Sequence, residues 1–118
     1  MSSLSLRAHE KMRRPSDFRR VKDQGKSCRT RRFRVNCAEN GLATHRLGMV
    51  VQKRFWKAVQ RNRIKRCLRE FFRHFKEQLP APPLDIVIIA LPGAEKLHPR
   101  DIAFEISAVL ARKEGHGS

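Results

Sequence analysis

The run Leu84-Asp85-Ile86-Val87-Ile88-Ile89-Ala90-Leu91 is apolar on both faces of an extended backbone. Side chains alternate from face to face along a strand, so such a run reads as a central strand covered on both sides. The rest of the chain must supply the cover. At 118 residues it is one domain by length, large enough to bury such a strand without disulfides or metal.

The cover is written as amphipathic helices. Ile64, Leu68, Phe71, Phe72 and Phe75 recur at helical spacing and predict a helix from about Ala58 to Gln78, ended by Pro80, Pro82 and Pro83. Pro99 to Arg112 reads as a last helix carrying Ile102, Ile106, Val109 and Leu110, with Phe104 off its main stripe. A first helix is signalled by Pro15-Ser16-Asp17, with Ser16 as cap, Phe18 and Val21 inward, an end near Asp23 and Gly25 as the stop. Between these lie strand patterns. From Cys28 to Ala38, Phe33, Val35 and Cys37 point one way while Arg32, Arg34 and Asn36 point the other, a half-buried strand with a basic open face. Glu39-Asn40-Gly41 is a turn, and a second strand runs from about Arg46 to Lys53. Residues 1–14 are expected to form a mobile basic arm, residues 15–113 a single α/β domain, and residues 114–118 a frayed tail. The class is α+β, an α/β sandwich with helices packed on a small sheet, and its strand–helix–strand unit is right-handed by default.

Charge then narrows the function. Twenty-seven Lys and Arg against 11 Asp and Glu give a net charge of +16. Twelve cations fall in residues 1–38 and ten in residues 53–76, against three and one acids, so the charge forms two blocks rather than a general coat. A domain so charged repels itself, which fits an extended polyanion as partner. The helix from Arg61 to Arg73 holds six cations in thirteen residues. At about 100° per residue, Asn62, Arg66, Arg69 and Arg73 fall opposite the apolar stripe, within roughly 60° of one another. Arginine forks suit phosphates and stack on bases. Asn62 can meet a base edge, a 2′-OH or a hydrated metal ion, or make only a local hydrogen bond. Trp56 reads as a packing staple or a stacking platform, and Phe18 as facing core or cleft.

Several function classes drop out. No apolar run approaches the length of a membrane span, and Met1 to Leu6 is too short and polar for a signal peptide. Cys28, Cys37 and Cys67 share no metal-ligand spacing and read as small buried hydrophobes in a reducing cytoplasm. The five histidines show no zinc pattern. Glu70, Asp85 and Asp101 stand isolated, so the paired carboxylates of a protein-only metal nuclease are missing. From the residues alone, the chain reads as a binding module for an extended polyanion, with a ribosomal or other structured-RNA-binding protein as one open reading.

The stretch Arg61-Asn62-Arg63-Ile64-Lys65-Arg66-Cys67-Leu68-Arg69-Glu70 resembles the signature helix of the bacterial ribonuclease P protein subunit. Arg46-Leu47-Gly48-Met49-Val50-Val51 before it, Lys57-Ala58-Val59 leading in and Asp85 to Ala90 after it agree, as do Asp17-Phe18, Val21, Gly25, Ser27 and Phe33. The likeness spans roughly residues 15 to 112. It implies a mixed sheet of about four strands with three helices, in the order α-β-β-β-α-β-α, and a left-handed strand–helix–strand crossover in place of the default. It also implies a ribonucleoprotein in which a large RNA, with Mg2+ held mainly by RNA and substrate, removes the 5′ leader of precursor tRNA.

Carried over by position, Arg61, Asn62, Arg63, Lys65, Arg66, Arg69 and Arg73 meet the catalytic RNA. Phe18, Lys22, Arg32, Arg34, Asn36, Gln52 and Lys53 take the single-stranded leader. The partners implied are ribonuclease P RNA and precursor tRNA, with no membrane and no stable protein partner. Lys22 and Asn36 stand where the family often has aromatics, which shifts leader contact from stacking toward charge and hydrogen bonds. Gln52-Lys53-Arg54-Phe55-Trp56 replaces the family's usual approach to the helix, with Trp56 in place of a small residue.

Overall fold

The computed structural model describes residues 6–79 and 81–115, the last five by backbone alone. Along the chain run α1 (Pro15–Gln24), β1 (Lys26–Arg29), β2 (Phe33–Glu39), β3 (Arg46–Val50), α2 (Ala58–Phe75), β4 (Leu84–Ala90) and α3 (Pro99–Gly115). Single 3-10 turns occupy Ala8–Glu10, Lys76–Gln78 and Ala94–Lys96. This is the expected α+β fold, with three helices and a mixed sheet of four strands.

The doubly apolar run is β4, and it lies inside a sheet of order β1-β2-β4-β3, antiparallel to β2 and parallel to β3. On one face Ile86 and Ile88 align with Val35 and Cys37 of β2 and with Leu47 and Met49 of β3. There α2 and α3 supply Ile64, Leu68, Phe71, Phe72, Ile102 and Ile106 as cover. On the other face Val87 and Ile89 align with Asn36 and Arg34 and with Gly48 and Val50. That face receives Val21 and Phe18 of α1, joined by Met12.

Four local expectations change. The strand expected from Cys28 to Ala38 is two strands, β1 and β2, which pair antiparallel across a bend at residues 31–32. Glu105 of α3 holds that bend, accepting from the Arg32 amide at 2.8 Å and from the Thr30 hydroxyl. Arg32 therefore leaves the strand, and its side chain lies against the Pro92-Gly93 turn, where a Cβ on Gly93 (φ +104°) would stand 2.5 Å from its Nε. Alternation in the sequence runs straight through this bend, so periodicity could not show it.

The first helix begins with Pro15 as its first residue and Arg14 before it, so Ser16 is inside the helix and is not its cap. Proline suits that place because the N–H it lacks has no partner there. The helix stops where Gly25 passes β2 so closely that a Cβ would stand 2.3 Å from the Cys37 carbonyl oxygen.

Residues 6–14, expected within a mobile arm, are laid along the outer edge of β3. Lys11 bridges Leu47, the Met12 amide donates to the Leu47 carbonyl at 3.0 Å, and Leu6 and Met12 are buried. Glu10 is buried beside Lys76, with which it forms an ion pair. Residues 1–5 of that expected arm lie outside the described residues. At the other end α3 continues through Gly115, past the tail boundary expected at 114, and residues 116–118 lie outside the described residues.

Candidate nucleic-acid interface

Helix α2 is built to present charge. Its apolar stripe is fully spent on the core, with Ile64 and Leu68 at 0% exposure. The side away from that stripe has no alternative to water or a partner. Asn62 and Arg66 form its outer ridge and are exposed, while Lys65 and Arg69 sit lower on the flank nearest β3 and are half-buried. Those two line a groove with Lys11, Arg13, Phe18 and Met49. The groove brings together a catalytic-RNA candidate pair from α2 and the aromatic leader candidate from α1, which the sequence treats as separate sites.

The other α2 candidates are partly engaged within the protein. Arg63 donates to the carbonyls of Glu95 at 3.2 Å and Leu97 at 2.9 Å, tying α2 to the turn before α3. Arg73 donates to Glu70 at 3.0 Å, and His74 shares the same carboxylate oxygen at 2.7 Å. Burial pushes the Glu70 carboxyl up, but the hydrogen bonds from His74 and Arg73 outweigh it and hold the group below its ordinary value. Arg61 is half-buried and its Nε has no hydrogen-bond partner. Arg73 is thus the α2 candidate paired with an acid, while Lys65, Arg66 and Arg69 line or crown the outer surface and Arg61 lies half-buried at its margin.

On the α1 face of the sheet the structure sorts the leader candidates by depth. Phe18 is half-buried over β3, so close to Gly48 that a Cβ there would stand 2.7 Å from its ring. Lys22 is exposed one turn further along α1. Arg34 is exposed in a half-open row with Arg29, Ile89 and Val50. Asn36 is buried at 7% exposure, and its Oδ1 has no hydrogen-bond partner. The open basic face expected for β2 is thus Arg34 with Arg29 across the hairpin, with Asn36 beneath and Arg32 displaced to the bend. Gln52 and Lys53 follow the end of β3; Gln52 accepts from Arg54 Nε at 2.9 Å, and Lys53 is exposed.

Trp56 resolves as packing: it is 5% exposed and its indole N–H donates to Glu95 at 2.6 Å. Cys67 borders the core, where burial pushes its thiol up despite Arg63 and Arg66 nearby, so it is not poised as a nucleophile.

Sequence reasoning missed a buried ionic tie that sets the cleft. Asp85, taken as isolated, is at 0% exposure and accepts from Arg46 at 2.8 and 2.7 Å, from Asn40 at 2.9 Å and from Arg20 at 2.5 Å. Burial pushes its carboxyl up, but the Arg46 and Asn40 hydrogen bonds and the charges of Arg46 and Arg20 hold it below its ordinary value. The available signal was phase: Asp85 shares a face with Val87 and Ile89, and a carboxylate buried there must be paired. Lys11, Arg13 and Arg29 were missed because their places depend on the docked N-terminal segment and the split strand.

Comparison with known proteins places these features in a family. The profile of the family described as Ribonuclease P matches residues 6–114. The ribonuclease P protein component of Syntrophobacter fumaroxidans is 53% identical over 113 residues, covering 96% of this chain and 95% of that protein. That of Thermotoga maritima is 41% identical over 85 residues, 72% of each chain. Among solved structures, the Staphylococcus aureus RNase P protein superposes with a TM-score of 0.80 at 31% identity, covering 88% of this chain and 94% of that one. The Thermotoga maritima protein gives 0.76 at 31% identity, over 87% and 96%.

Proposed function

This chain belongs to the ribonuclease P family, as the protein subunit of a tRNA-processing ribonucleoprotein endoribonuclease, and from that premise we propose a division of labour between its basic surfaces. The α2 ridge and flank, Asn62, Lys65, Arg66 and Arg69, dock on the ribonuclease P RNA, with Arg61, Arg63 and Arg73 at their margin. The α1 face, with Phe18, Lys22 and Arg34 and the Gln52-Lys53 turn, and with Asn36 buried beneath it, takes the single-stranded 5′ leader of precursor tRNA. Arg32 contributes from the bend rather than from the strand. The observation that carries this reading is the groove where Phe18 meets Lys65 and Arg69, because one continuous surface then serves both RNAs.

The chemistry belongs to the RNA partner. Mg2+ supplies water activation and charge stabilisation at the scissile phosphate when bound by RNA and substrate. Four of the protein's own carboxylates, Asp85, Glu10, Glu70 and Glu95, are engaged by internal donors, which supports leaving the metal to RNA and substrate. What this chain contributes is neutralisation of phosphates and alignment of the leader, which favours precursor over mature tRNA. A cytoplasmic setting, expected from three cysteines without framework or metal-ligand spacing, belongs to this reading. No helix among the described residues is long and apolar enough to cross a membrane, and the reading invokes no protein partner.

Reconstitution tests it. The purified chain, mixed with a ribonuclease P RNA and precursor tRNA at low Mg2+, is expected to stimulate release of an intact 5′ leader, with neither macromolecule active alone. Absence of stimulation overturns the proposal, and cleavage by the protein alone reassigns the chemistry to the chain.

A further inference from the structure

Phe55 and Val59 are exposed where the fold does not use them. Both belong to neither apolar cluster, at 39% and 80% exposure, although each stands beside a residue or helix that does. Phe55 is nevertheless fixed. Its ring meets the buried Trp56 edge-on, with centroids 5.5 Å apart and planes at 68°. The Arg54 guanidinium lies 4.7 Å from the ring centre, and its Nε is held by Gln52. Trp56 in turn is anchored to Glu95. The result is a guanidinium held over an aromatic ring, the cation fixed by Gln52 and the ring in contact with the anchored Trp56.

The flanking sequence is cationic. From Lys53 to Arg69 the chain carries eight Lys and Arg and no acid. At about 100° per residue, Val59 lies on the same outer side of α2 as Asn62 and Arg66. Phosphates satisfy the arginines, but they do not cover an aromatic face or an apolar methyl pair. An unpaired base and its ribose do both, since every base offers a π-face to an aromatic or guanidinium plane.

We propose that Arg54 and Phe55 form a stacking platform for one unpaired base of the ribonuclease P RNA, with Val59 packing against the adjoining sugar. The inference rests on the reading of α2 as the RNA-docking helix and extends that contact beyond charge, to residues that stand where this chain departs from the family's approach to the helix. The platform selects an unstacked nucleotide, so it fits a bulge or loop of the RNA rather than a regular duplex.

The test measures affinity of the full-length protein for ribonuclease P RNA alone, across a salt series, with circular dichroism and thermal melts as fold controls. Phe55→Ala is expected to weaken binding by about 5- to 100-fold while leaving the salt slope unchanged, because a stacked base is lost and no phosphate is freed. Phe55→Leu, which keeps apolar bulk, is expected to lose as much, and Phe55→Tyr to bind as the native chain does. Native affinity in Phe55→Leu reduces the ring to packing and overturns the platform. So does a deficit seen only with precursor tRNA, which moves the ring to the leader. Arg66→Ala separates the two levels of the argument: if it too leaves affinity and slope unchanged, the docking role of α2 fails, whereas a loss there with intact Phe55 variants sinks only the platform.

Discussion

Replacing Asp85 by alanine removes the acceptor that joins α1, β3 and the turn after β2. The carboxylate is fully buried and receives four hydrogen bonds, from Arg46, Asn40 and Arg20. Removing one partner of a buried ion pair costs about 3–5 kcal/mol, because the remaining charge stays desolvated and unpaired. Arg46 and Arg20 keep 17% and 29% side-chain exposure, so each can turn partly to water and the lower end applies. A loss of about 3 kcal/mol in a chain of 118 residues corresponds to a fall in Tm of roughly 12 °C. Asp85→Asn keeps the shape and removes the charge, and about 2 kcal/mol is expected for it. The pH dependence separates charge from shape. A carboxyl held low in the folded state stabilises above its unfolded pKa, near 3.9, and that contribution is lost as pH falls through the folded value. In urea titrations the gap between native protein and Asp85→Asn is therefore steady from neutral pH to about 5 and closes below about 4. A gap under about 1 kcal/mol at neutral pH, or one that persists in acid, refutes the assignment of this tie. Because α2 packs on the opposite sheet face, affinity for the RNA partner is unchanged at temperatures where the variant is folded.

Changing Arg66 and Arg69 together to alanine is expected to weaken RNA binding and to flatten its log–log salt slope by about 1.5, at 0.7 to 0.9 per lost phosphate contact, with the far-UV spectrum native. Filter binding across a salt series reads both, and an unchanged slope means these arginines are merely solvated. Gly48→Ala places a methyl 2.7 Å from the Phe18 ring and 3.1 Å from the Met12 sulfur, so the ring must swing away. The expected cost to stability is about 1–3 kcal/mol, with the preference for precursor over mature tRNA reduced and the affinity for the RNA partner retained. Competition binding with the two tRNA forms decides it; an undiminished preference removes Phe18 from the leader site.

What the sequence made legible follows from which forces act locally. β4 and α2 were readable because burial imposes a period on them, two-sided in the first and one-sided in the second. The hairpin bend was not, because it is held from 73 residues away, by Glu105 on the Arg32 amide. Asp85 looked isolated for the same reason: its partners lie 65, 45 and 39 residues off in sequence. The docked segment from Leu6 to Met12 spends only two apolar side chains and one buried acid, too few to make a pattern. Of the site, the α2 face was visible as charge opposite a stripe. The α1 face was visible in its members but not in its depth, since exposure of Arg34 and burial of Asn36 depend on how far α1 reaches across the sheet.

The acids of this chain show how a domain with net charge +16 holds together. Glu10, Glu70, Glu95 and Asp85 all sit below their ordinary values, each held by donors within the fold. Asp85 ties α1 to β3 and β4, Glu10 ties the N-terminal segment to the end of α2, and Glu95 anchors Trp56 before α2. Three of these four acids are thus spent at junctions between elements, where they offset self-repulsion locally, while Glu70 pairs within α2. On α2 the one acid, Glu70, is held by Arg73 and His74, and beside Phe18 the carboxylate of Asp17 lies 3.6 Å from Arg46, so both acids near the basic surfaces are offset within the protein. Neutralising one junction acid should therefore loosen a surface's geometry without making it more basic where RNA binds. This differs from the usual trade, in which adding positive charge strengthens RNA binding at the expense of the fold: here the same few carboxylates support both.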